Sequence, residues 1–433
     1  MDKVVLIFPK TGLDKYSQLP LGLLSVASTI VDDYEVKIID QRLDNNWANK
    51  IESESQNSIC VGITSMTGEQ ILNGLEISKI AKKNTNVIWG GIHPTILPKQ
   101  TLENKYIDFI VIGEGEVTFP QVIKALKNKK EFNNIKGIGY KDGREIQINE
   151  KQNYLDLNNL PDLPYHLLNM KKYVTKRDGF QRCLTLETSR GCPHDCNFCS
   201  NPIIHKRIWR SLNADNIIRK INYLQNKFNL DGIIFQEDNF FVNTQRIKKF
   251  CEKIIVNNIG WKANCRINYL LDKDSSFFKM LENAGCRMLQ FGVESGSDRI
   301  LNLLNKGIKK DDILRINEKL AKANILCRYN FIVGMPTETE EEIKGTLQFI
   351  DKLKNENANL DLPFLNIYTP WPGTKLFDLA IKNGFSPPNR LEEWSKFNWN
   401  SYNLPWLNEK TSKFLEEISI KYRNENRYFL ACN

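Results

Sequence analysis

Two series of short apolar runs, each alternating with helix-like patterns, account for most of the chain. The runs of the first series have the length and composition of buried strands and lie at residues 4–8, 36–39, 59–63, 87–89 and 109–112. Between two of them, apolar residues at Ile71, Leu75 and Ile80 predict a helix that covers a sheet. Strands that alternate with helices favour a parallel sheet, and five of them are typical of a doubly wound, flavodoxin-like domain.

The second series begins at Cys183 and predicts a barrel. Its strand candidates lie at residues 183–187, 232–236, 261–266, 288–293, 327–333 and 362–369. Helical patterns separate them, at residues 213–228, 244–258, 275–284, 310–324 and 340–355. A complete barrel of this kind has eight βα units, so six units predict a partial (β/α)6 barrel.

The remaining segments connect or extend these two series. Residues 136–149 predict a hairpin that turns at 141–143, and the prolines Pro161 and Pro164 favour an irregular connector over 150–182. We therefore expect an α/β domain at 1–135, a hairpin and connector at 136–180 and the barrel at 181–375. Residues 376–433 predict a mostly helical extension.

Composition narrows the setting in which the protein works. Lys and Arg outnumber Asp and Glu by 60 to 51, but the +9 surplus is spread along the chain, which favours a solvated surface over a specific nucleic-acid groove. No apolar run approaches the roughly 18 residues that would predict a membrane span. The ten cysteines do not form a secreted disulfide pattern, so we expect a reducing cytoplasm.

Three cysteines form a cluster of their own. Cys192, Cys196 and Cys199 have the spacing C-x3-C-x2-C in the loop after the first barrel strand, whereas the other seven lie mostly in apolar segments. Three thiolates at such intervals can hold one metal centre and leave one position of a cubane open. A structural zinc ion needs four ligands, and only His194 and His205 are near enough in sequence to supply the fourth.

This cysteine loop, with Phe198 before its last cysteine, resembles the signature of radical S-adenosylmethionine (SAM) enzymes. The resemblance covers about residues 180–380 and implies a 4Fe–4S cluster on Cys192, Cys196 and Cys199. In that family the open iron chelates SAM, and the reduced cluster cleaves SAM to a 5′-deoxyadenosyl radical. The family fold is a six-stranded partial barrel, in agreement with the six units counted above.

Motifs at the ends of later strands also resemble this family. The resemblance implies contacts of Glu237 and Asp238 with the amino group of SAM, and of Arg266 with its carboxylate. It places Glu294 and Ser295 near the ribose and the backbone around Val333 near the adenine. All of these follow strands, where barrel enzymes carry their chemistry. No catalytic acid or base is identified.

The first domain resembles the cobalamin-binding domains that precede many radical SAM barrels. The residues that the resemblance assigns to cobalamin follow the predicted strands and are Thr64, Ser65, Gly90, Gly91, His93, Gly113, Glu114 and Gly115. The motif Asp-x-His-x-x-Gly is absent, since residues 40–46 read DQRLDNN, so no histidine at that place would bind cobalt from below. A turn role for His93, and a domain that keeps the fold without binding cobalamin, stay open as alternatives.

Together these features predict a radical SAM enzyme that transfers a methyl group, with the help of cobalamin, to an unactivated carbon of a metabolite. The first alternative is a radical SAM oxidoreductase or cyclase that transfers no methyl group. An alternative of another class is a zinc-dependent nucleic-acid-binding protein. The enzyme would need an electron donor such as flavodoxin or ferredoxin. The sequence does not say whether its substrate is a small molecule, a lipid or a peptide.

Overall fold

A computed structural model describes residues 1–12, 18–361, 364–397 and 404–432, with side chains up to residue 422. The chain divides into two compact units. The first consists of Met1–Tyr173 together with Pro388–Asn398, and the second of Val174–Pro387 with the described part of Trp399–Asn433. No helix in the described part of the chain is long and apolar enough to cross a bilayer.

The first unit is built on one seven-stranded sheet. Its strands are β1 (Lys3–Phe8), β2 (Glu35–Asp40), β3 (Ser58–Thr64), β4 (Asn86–Gly90), β5 (Phe109–Val111), β6 (Ile138–Asp142) and β7 (Glu145–Ile148). They lie in the order β2-β1-β3-β4-β5-β6-β7, with β1 to β5 parallel. The helices are α1 (Leu21–Ser28), α2 (Trp47–Ser55), α3 (Gln70–Ala81), α4 (Ile92–Ile96), α5 (Pro98–Glu103) and α6 (Gly115–Asn128). The order 2-1-3-4-5 confirms the flavodoxin-like prediction.

The predicted hairpin is present, as β6 and β7, and it extends this sheet. β6 pairs antiparallel with β5, and β7 pairs antiparallel with β6. The continuous apolar runs of the parallel strands arise because helices cover both faces of such sheets. Val4, Leu6 and Ile88 are accordingly buried in a core to which Phe119 and Val122 of α6 contribute.

The second unit is a curled, seven-stranded sheet, as the partial-barrel prediction requires. Its strands are β8 (Thr175–Arg177), β9 (Phe180–Leu186), β12 (Gly232–Phe235), β13 (Gly260–Cys265), β14 (Cys286–Glu294), β15 (Leu326–Val333) and β16 (Phe364–Ile367). A separate two-stranded sheet is formed by β10 (Ser189–Arg190) and β11 (Arg210–Ser211). The order is β16-β15-β14-β13-β12-β9-β8, and six of these strands run parallel. Residues 362 and 363 of the predicted sixth strand lie outside the described part.

Helices follow the strands of this second sheet and cover its outer face. They are α7 (Asn201–His205), α8 (Ala214–Phe228), α9 (Thr244–Ile254), α10 (Ser275–Asn283), α11 (Asp298–Leu303), α12 (Lys310–Ala321), α13 (Glu340–Glu356), α14 (Lys375–Lys382) and α15 (Glu409–Cys432). Trp261 of β13 packs on Phe250 of α9, and Tyr329 of β15 donates to Asn317 of α12 at 3.1 Å. The carboxyl ends of the parallel strands carry the loops singled out from the sequence.

The expectation of an irregular connector over 150–182 is wrong at its end. β8 and the first residues of β9 form an antiparallel hairpin there, with Asp178 at its tip in a left-handed conformation (φ 52°) and Gly179 beside it. The earlier part of the connector contains three short 3-10 turns, at Leu157–Asn159, Tyr165–Leu167 and Met170–Lys172. Short polar strands at a sheet edge carry little apolar periodicity, so the sequence pattern did not reveal this hairpin.

Candidate functional site

The cysteine loop is held rigidly beyond the carboxyl end of β9. Gly191 has a φ of +84°, and a Cβ at this position would lie 2.1 Å from the carbonyl oxygen of Ile208, so only glycine fits. Farther along the loop, the backbone N–H of Asn197 donates to the carbonyl of Leu304 at 2.9 Å. The carbonyl of Asn197 accepts from the N–H of Leu376 at 2.9 Å. The three cysteines are therefore carried on a positioned backbone.

Two of the three thiols, those of Cys192 and Cys199, lie in surroundings that raise their pKa. Burial raises the pKa of Cys192, and burial with the nearby Asp238 carboxylate raises the pKa of Cys199 to about 12. Arg266 donates from Nη1 to the sulfur of Cys196 at 3.1 Å. Because metal binding displaces thiol protons, a bound metal centre would leave the sulfurs as thiolates beside this guanidinium.

The side chain of Asn239 is the observation that fits an iron–sulfur cluster here. Its amide is buried and lies within hydrogen-bonding reach of Cys192 and of Tyr269, and it has no closer partner. A buried amide beside a cysteine can donate to that cysteine's sulfur. A sulfide or thiolate sulfur facing the amide would accept its N–H groups, as cluster sulfurs do in iron–sulfur proteins.

The arrangement does not resemble a site for a single metal ion. Among the described residues, no three Cys, His, Asp or Glu side chains gather around one point. A structural zinc ion holds its four ligands within about 2.3 Å of itself. A cubane cluster instead binds each of three thiolates at a different iron, so it tolerates wider separations. Three cysteines on one loop are the number of protein ligands that a cubane with one open iron requires.

The two neighbouring carboxylates after β12 have different environments. Glu237 is buried, and its carboxylate accepts hydrogen bonds from the hydroxyls of Thr188 and Ser189 and, at 2.6 Å, from the N–H of Thr188. Burial raises the pKa of Glu237, and the nearby positive charge of Arg246 lowers it in part. Asp238 is exposed and lies near Cys199. Only the second carboxylate is available for a ligand at the cysteine loop.

Arg266, Glu294 and the backbone near them form a compact charged group after β13 and β14. Glu294 pairs with Lys306 at 2.7 Å, and both side chains are buried. Arg266 donates to the carbonyl of Lys306 and, at 3.2 Å, from Nε to Asn268. Glu294 has a φ of +73°, a conformation that non-glycine residues seldom adopt and that concentrates at functional sites.

The last two SAM candidates are engaged by the chain in part. The buried hydroxyl of Ser295 lies 3.4 Å from that of Thr346 in α13 and accepts from the N–H of Ser297 at 3.1 Å. The carbonyl of Val333 accepts from the N–H of Tyr368 at 2.8 Å, and its side chain is buried. The backbone that follows is also engaged, because the N–H groups of Gly334 and Met335 donate to Glu338.

In the first unit, the loops after β3 and β4 are joined to each other. The N–H of Ser65 donates to Gly90 at 2.8 Å, and the N–H of His93 donates to Ser65 at 3.0 Å. Gly91 has a φ of +97°, and a Cβ there would meet Thr64 Oγ1 and the carbonyl of Ser65 at 2.9 Å. These contacts require glycine at this turn.

Open space lies next to the glycines at the carboxyl ends of β4 and β5. A Cβ at Gly113 would meet no atom within 4 Å, and one at Gly90 would meet only Val111, at 3.9 Å. Gly115 begins α6, where a Cβ would lie 3.0 Å from Val26, and Glu114 accepts from the N–H of Leu155 at 3.4 Å. The space that side chains would fill at Gly90 and Gly113 fits a cofactor lying along this edge.

His93 is a buried, neutral residue of the loop structure. Its Nδ1 shares a hydrogen bond of 2.8 Å with the hydroxyl of Thr67, and its ring packs edge-on against Trp394. Burial lowers its pKa to about 4. Its Nε2 is also buried and has no hydrogen-bond partner. These surroundings support the turn role that the sequence left open, because neither ring nitrogen faces open space.

Sequence reasoning missed Asn239 and Lys306. Asn239 follows the carboxylate pair directly, so the strand-end position was available as a signal. Lys306 comes twelve residues after Glu294, beyond the short helix α11, and no local pattern indicates that the two side chains meet. Such a contact between residues on separate elements appears only in the folded chain.

Comparison with known proteins identifies families for both the barrel and the first domain. A family model described as the radical SAM superfamily matches residues 186–350, and one described as a B12 binding domain matches residues 14–123. An uncharacterized methyltransferase of Pyrococcus horikoshii is 33% identical over 423 residues, which is 93% of this chain and 87% of that protein.

Two solved structures share the fold. One is the radical SAM methyltransferase TsrM from Kitasatospora setae, with cobalamin and a [4Fe-4S] cluster bound. Its sequence is 16% identical, and the match has a TM-score of 0.73 and covers 92% of this chain and 81% of that chain. The other is the cobalamin-dependent SAM radical enzyme OxsB, with aqua-cobalamin and SAM bound; it is 23% identical with a TM-score of 0.69, over 81% of this chain and 52% of that one.

Proposed function

Because the chain belongs to the radical SAM superfamily and carries a B12-binding domain ahead of its barrel, we propose that it methylates an unactivated carbon of an organic substrate. It is an enzyme whose cofactors are a 4Fe–4S cluster, SAM and cobalamin. When bound, the cluster supplies the electron that cleaves SAM, and cobalamin supplies a carrier for the methyl group. The observation that carries the proposal is the open space at Gly90 and Gly113, along the sheet edge of the domain that precedes the barrel.

The cysteine loop and its neighbours hold the cluster in this proposal. Cys192, Cys196 and Cys199 would hold the cluster, which would supply the electron for cleavage of SAM. Asn239 donates to a sulfur at the Cys192 side, and Arg266 donates to the sulfur of Cys196, at 3.1 Å in the structure. Both contacts favour a more negative charge on the sulfurs and so ease reduction of the cluster.

The neighbouring charged groups orient SAM. Asp238, exposed beside Cys199, accepts from the amino group of SAM through a charge-assisted hydrogen bond. Glu294 accepts from the ribose hydroxyls, and Lys306, paired with Glu294 at 2.7 Å, neutralises that carboxylate while ribose is absent. The backbone around Val333 lies beside the adenine.

In the first unit, the joined loops after β3 and β4 and the glycines after β5 hold cobalamin along the sheet edge. Thr64 and Ser65 supply hydroxyls, Gly90, Gly91 and Gly113 supply space, and Glu114 and Gly115 begin the helix beyond. His93 does not coordinate cobalt, because its ring is buried and its Nδ1 is bonded to Thr67. The reductant is an external one-electron donor such as flavodoxin or ferredoxin, in a reducing cytoplasm where the cysteines stay free.

Anaerobic reconstitution with iron, sulfide and hydroxocobalamin tests the proposal. The wild type should bind about four irons per chain, as expected for one cubane, and form 5′-deoxyadenosine and S-adenosylhomocysteine from SAM in the presence of a strong reductant. Changing the three loop cysteines together to Ala should abolish iron binding and 5′-deoxyadenosine, whereas Cys286→Ala, in the core of the barrel wall, should keep both. A triple variant that retains iron would refute the assignment of the ligands.

Electron paramagnetic resonance examines the cobalamin part separately. Cobalamin bound as cobalt(II) should show no nitrogen splitting from an axial protein ligand, because His93 is not available. Clear splitting by one nitrogen would contradict the proposed binding mode. If the reconstituted protein takes up no cobalamin at all, the methyl-transfer proposal fails while the cluster assignment stands.

A further inference from the structure

We propose that the concave face of the barrel sheet, here called the lumen, binds an uncharged substrate group of the amide or lactam type. The inference rests on the proposed function, since it concerns the substrate that this enzyme would methylate. It is carried by a layer of four carboxamide side chains, from Asn264, Gln290, Asn330 and Asn366, between two layers in which every charge has a partner.

Alternation along the strands identifies which side chains face the lumen. Trp261 and Tyr329 face the helices, because they pack on α9 and bond to α12. Their neighbours in sequence therefore face the opposite way. The parallel register pairs Asn264 with Gln290, and it pairs Ile332 with Asn366. All four carboxamide residues are partly exposed, which indicates that this face is open rather than packed.

The floor of the lumen carries charges that are fully paired. Asp178, at the tip of the β8–β9 hairpin, contacts Lys262 at 2.9 Å and Arg328 at 3.1 Å, and all three side chains are buried. Arg328 also pairs with Asp361. Burial lowers the pKa of Lys262 to about 8, and Asp178 opposes this shift. Arg177 also contacts Asp178, at 3.4 Å. Every charge named here therefore already has an oppositely charged partner, and none is left for a charged substrate.

The upper layer is likewise occupied. Arg266 bonds to Cys196 at 3.1 Å and to the carbonyl of Lys306, and Lys306 pairs with Glu294 at 2.7 Å. In the proposed function these groups serve the cluster and SAM. Cys265, Arg287 and Cys327 alternate with the lumen-facing positions of their strands; apart from them, β13 to β16 carry no ionisable side chain other than those already named.

The carboxamides in the middle retain free hydrogen-bonding atoms. Gln290 Nε2 donates to Asn330 Oδ1 at 3.4 Å, and Asn366 Nδ2 donates to the carbonyl of Phe331 at 3.5 Å, both near the upper limit for a hydrogen bond. The pair of Gln290 and Asn330 leaves one acceptor and one amide donor open. Exchanging oxygen and nitrogen in both side chains leaves the same set, so the inference does not depend on how the amides are assigned.

An amide or lactam edge matches this pair, because it also presents one donor and one acceptor side by side. Neighbouring strands lie about 4.8 Å apart, so side chains from β14 and β15 can reach both atoms of such an edge. A carboxylate or an ammonium group would lose its hydration here without gaining an opposite charge. Phe364 on β16 is the register partner of Asn330 on β15, and its ring adds an apolar contact for the rest of the substrate.

Three probes of one skeleton test the inference by equilibrium binding to the reconstituted protein with SAM. They are N-acetylphenylalaninamide, which is neutral, N-acetylphenylalanine, which is anionic, and phenylalaninamide, which is cationic. We expect the neutral probe to bind at least about tenfold more tightly than either charged probe, a difference of 1.4 kcal/mol. No measurable binding of the neutral probe, or a preference for a charged one, would overturn the inference.

Variants connect the selectivity to the lumen. Gln290→Leu and Asn330→Leu should each weaken the neutral probe about three- to tenfold, the range of a lost hydrogen bond. Asn330→Asp, which barely changes shape, should instead shift the preference to the cationic probe. Asn324→Leu, exposed outside the barrel, is the control and should change nothing. Equal probe affinities in the wild type and Asn330→Asp would also overturn the inference.

Cleavage of SAM in the same samples separates the two proposals. Formation of 5′-deoxyadenosine without probe selectivity would contradict the lumen inference and leave the proposed function intact. If the reconstituted wild type forms no 5′-deoxyadenosine, that result would instead count against the proposed function.

Discussion

Glu237 and Asp238 are adjacent in sequence but have different chemical roles in the fold. Both carboxylate oxygens of Glu237 accept hydrogen bonds from Thr188 and Ser189, so this residue connects β12 to the start of the cysteine loop. Asp238 has an exposed side chain close to Cys199. The sequence motif offered the two acids as equivalent candidates, and their hydrogen bonds separate them.

Asp238→Asn should weaken SAM binding by about ten- to a hundredfold, since a charge-assisted hydrogen bond contributes roughly 1.5–3 kcal/mol. Iron content should stay normal. Glu237→Gln should instead lower thermal stability, because an amide cannot accept at both atoms. Calorimetric titration of SAM and a melting curve measure the two effects, with Asp311→Asn on an exposed turn of α12 as the control. Normal SAM affinity in Asp238→Asn would remove this residue from the site.

Glu338 is a buried acid in the loop after β15. Burial raises its pKa to about 7, although its Oε2 accepts from the N–H groups of Gly334 and Met335 at 2.6 and 2.9 Å. Its Oε1 is buried without a partner. A carboxyl with a raised pKa in the folded state takes up a proton more readily than in the unfolded chain, where the pKa is near 4.5.

Protonated Glu338 should therefore contribute up to about 3 kcal/mol to the free energy of unfolding. This contribution should be fully present below about pH 4.5 and be lost as the pH rises through about 7. Glu338→Gln should not show this loss, because the amide does not ionise and can still accept from the two backbone N–H groups. Urea unfolding at pH 5 and pH 8 compares the variants, with exposed Glu341→Gln as the control. Parallel pH curves for the wild type and Glu338→Gln would contradict the argument.

At the scale of elements, the turn between β4 and α4 shows how backbone conformation shapes the sheet edge at which we propose that cobalamin binds. Gly91 has a φ of +97° and lies against Thr64 and Ser65 of the preceding loop. The chain can bring β3 and β4 loops this close only without a side chain at residue 91. The same turn sets the direction of α4 and hence the position of His93.

Gly91→Ala should push these loops apart, lower the melting temperature and reduce cobalamin uptake, because a Cβ would approach backbone atoms at 2.9 Å. Gly22→Ala is the matched control: Gly22 lies in α1 with open space around its Cβ position, and alanine favours helices. Absorbance of bound hydroxocobalamin and thermal melting report the two effects. Full cobalamin uptake by Gly91→Ala would show that this turn does not form the site.

At the scale of the whole molecule, the first unit is discontinuous in sequence. Pro388–Asn398 belongs to it, although the rest of the unit ends at Tyr173. Trp394 is buried there, donates to Gln100 at 2.6 Å and packs against His93. The backbone of Phe397 lies against Gly68, in the loop after β3. This segment therefore stabilises the cobalamin-binding fold from a distant part of the chain.

Trp394→Ala should destabilise the first unit by about 3–5 kcal/mol, the usual cost of removing a buried tryptophan. Hydrogen exchange should accelerate in α3 and α4, while iron binding by the second unit should be retained. Lys396→Ala, exposed in the same segment, is the control. Unchanged exchange in α3 and α4 would mean that the segment contributes little to the unit.

The sequence by itself determined the parallel strands and predicted the cysteine ligands. Parallel strands buried on both faces must be continuous apolar runs, so their number and order of appearance could be read directly. The cysteine triplet is local, since its three members fall within eight residues, and a local motif needs no knowledge of tertiary contacts. Strand-end motifs could be located for the same reason.

Tertiary structure decided which of the candidate side chains are available and which distant residues join them. Both carboxylate oxygens of Glu237 accept hydrogen bonds from Thr188 and Ser189. Lys306 forms an ion pair with Glu294, from the other side of α11. Trp394 packs against His93, although the two residues are far apart in sequence. The neutral layer of the lumen likewise appears only when strands far apart in sequence align. Side-chain partners depend on packing between elements, and sequence periodicity records only the face on which a residue lies.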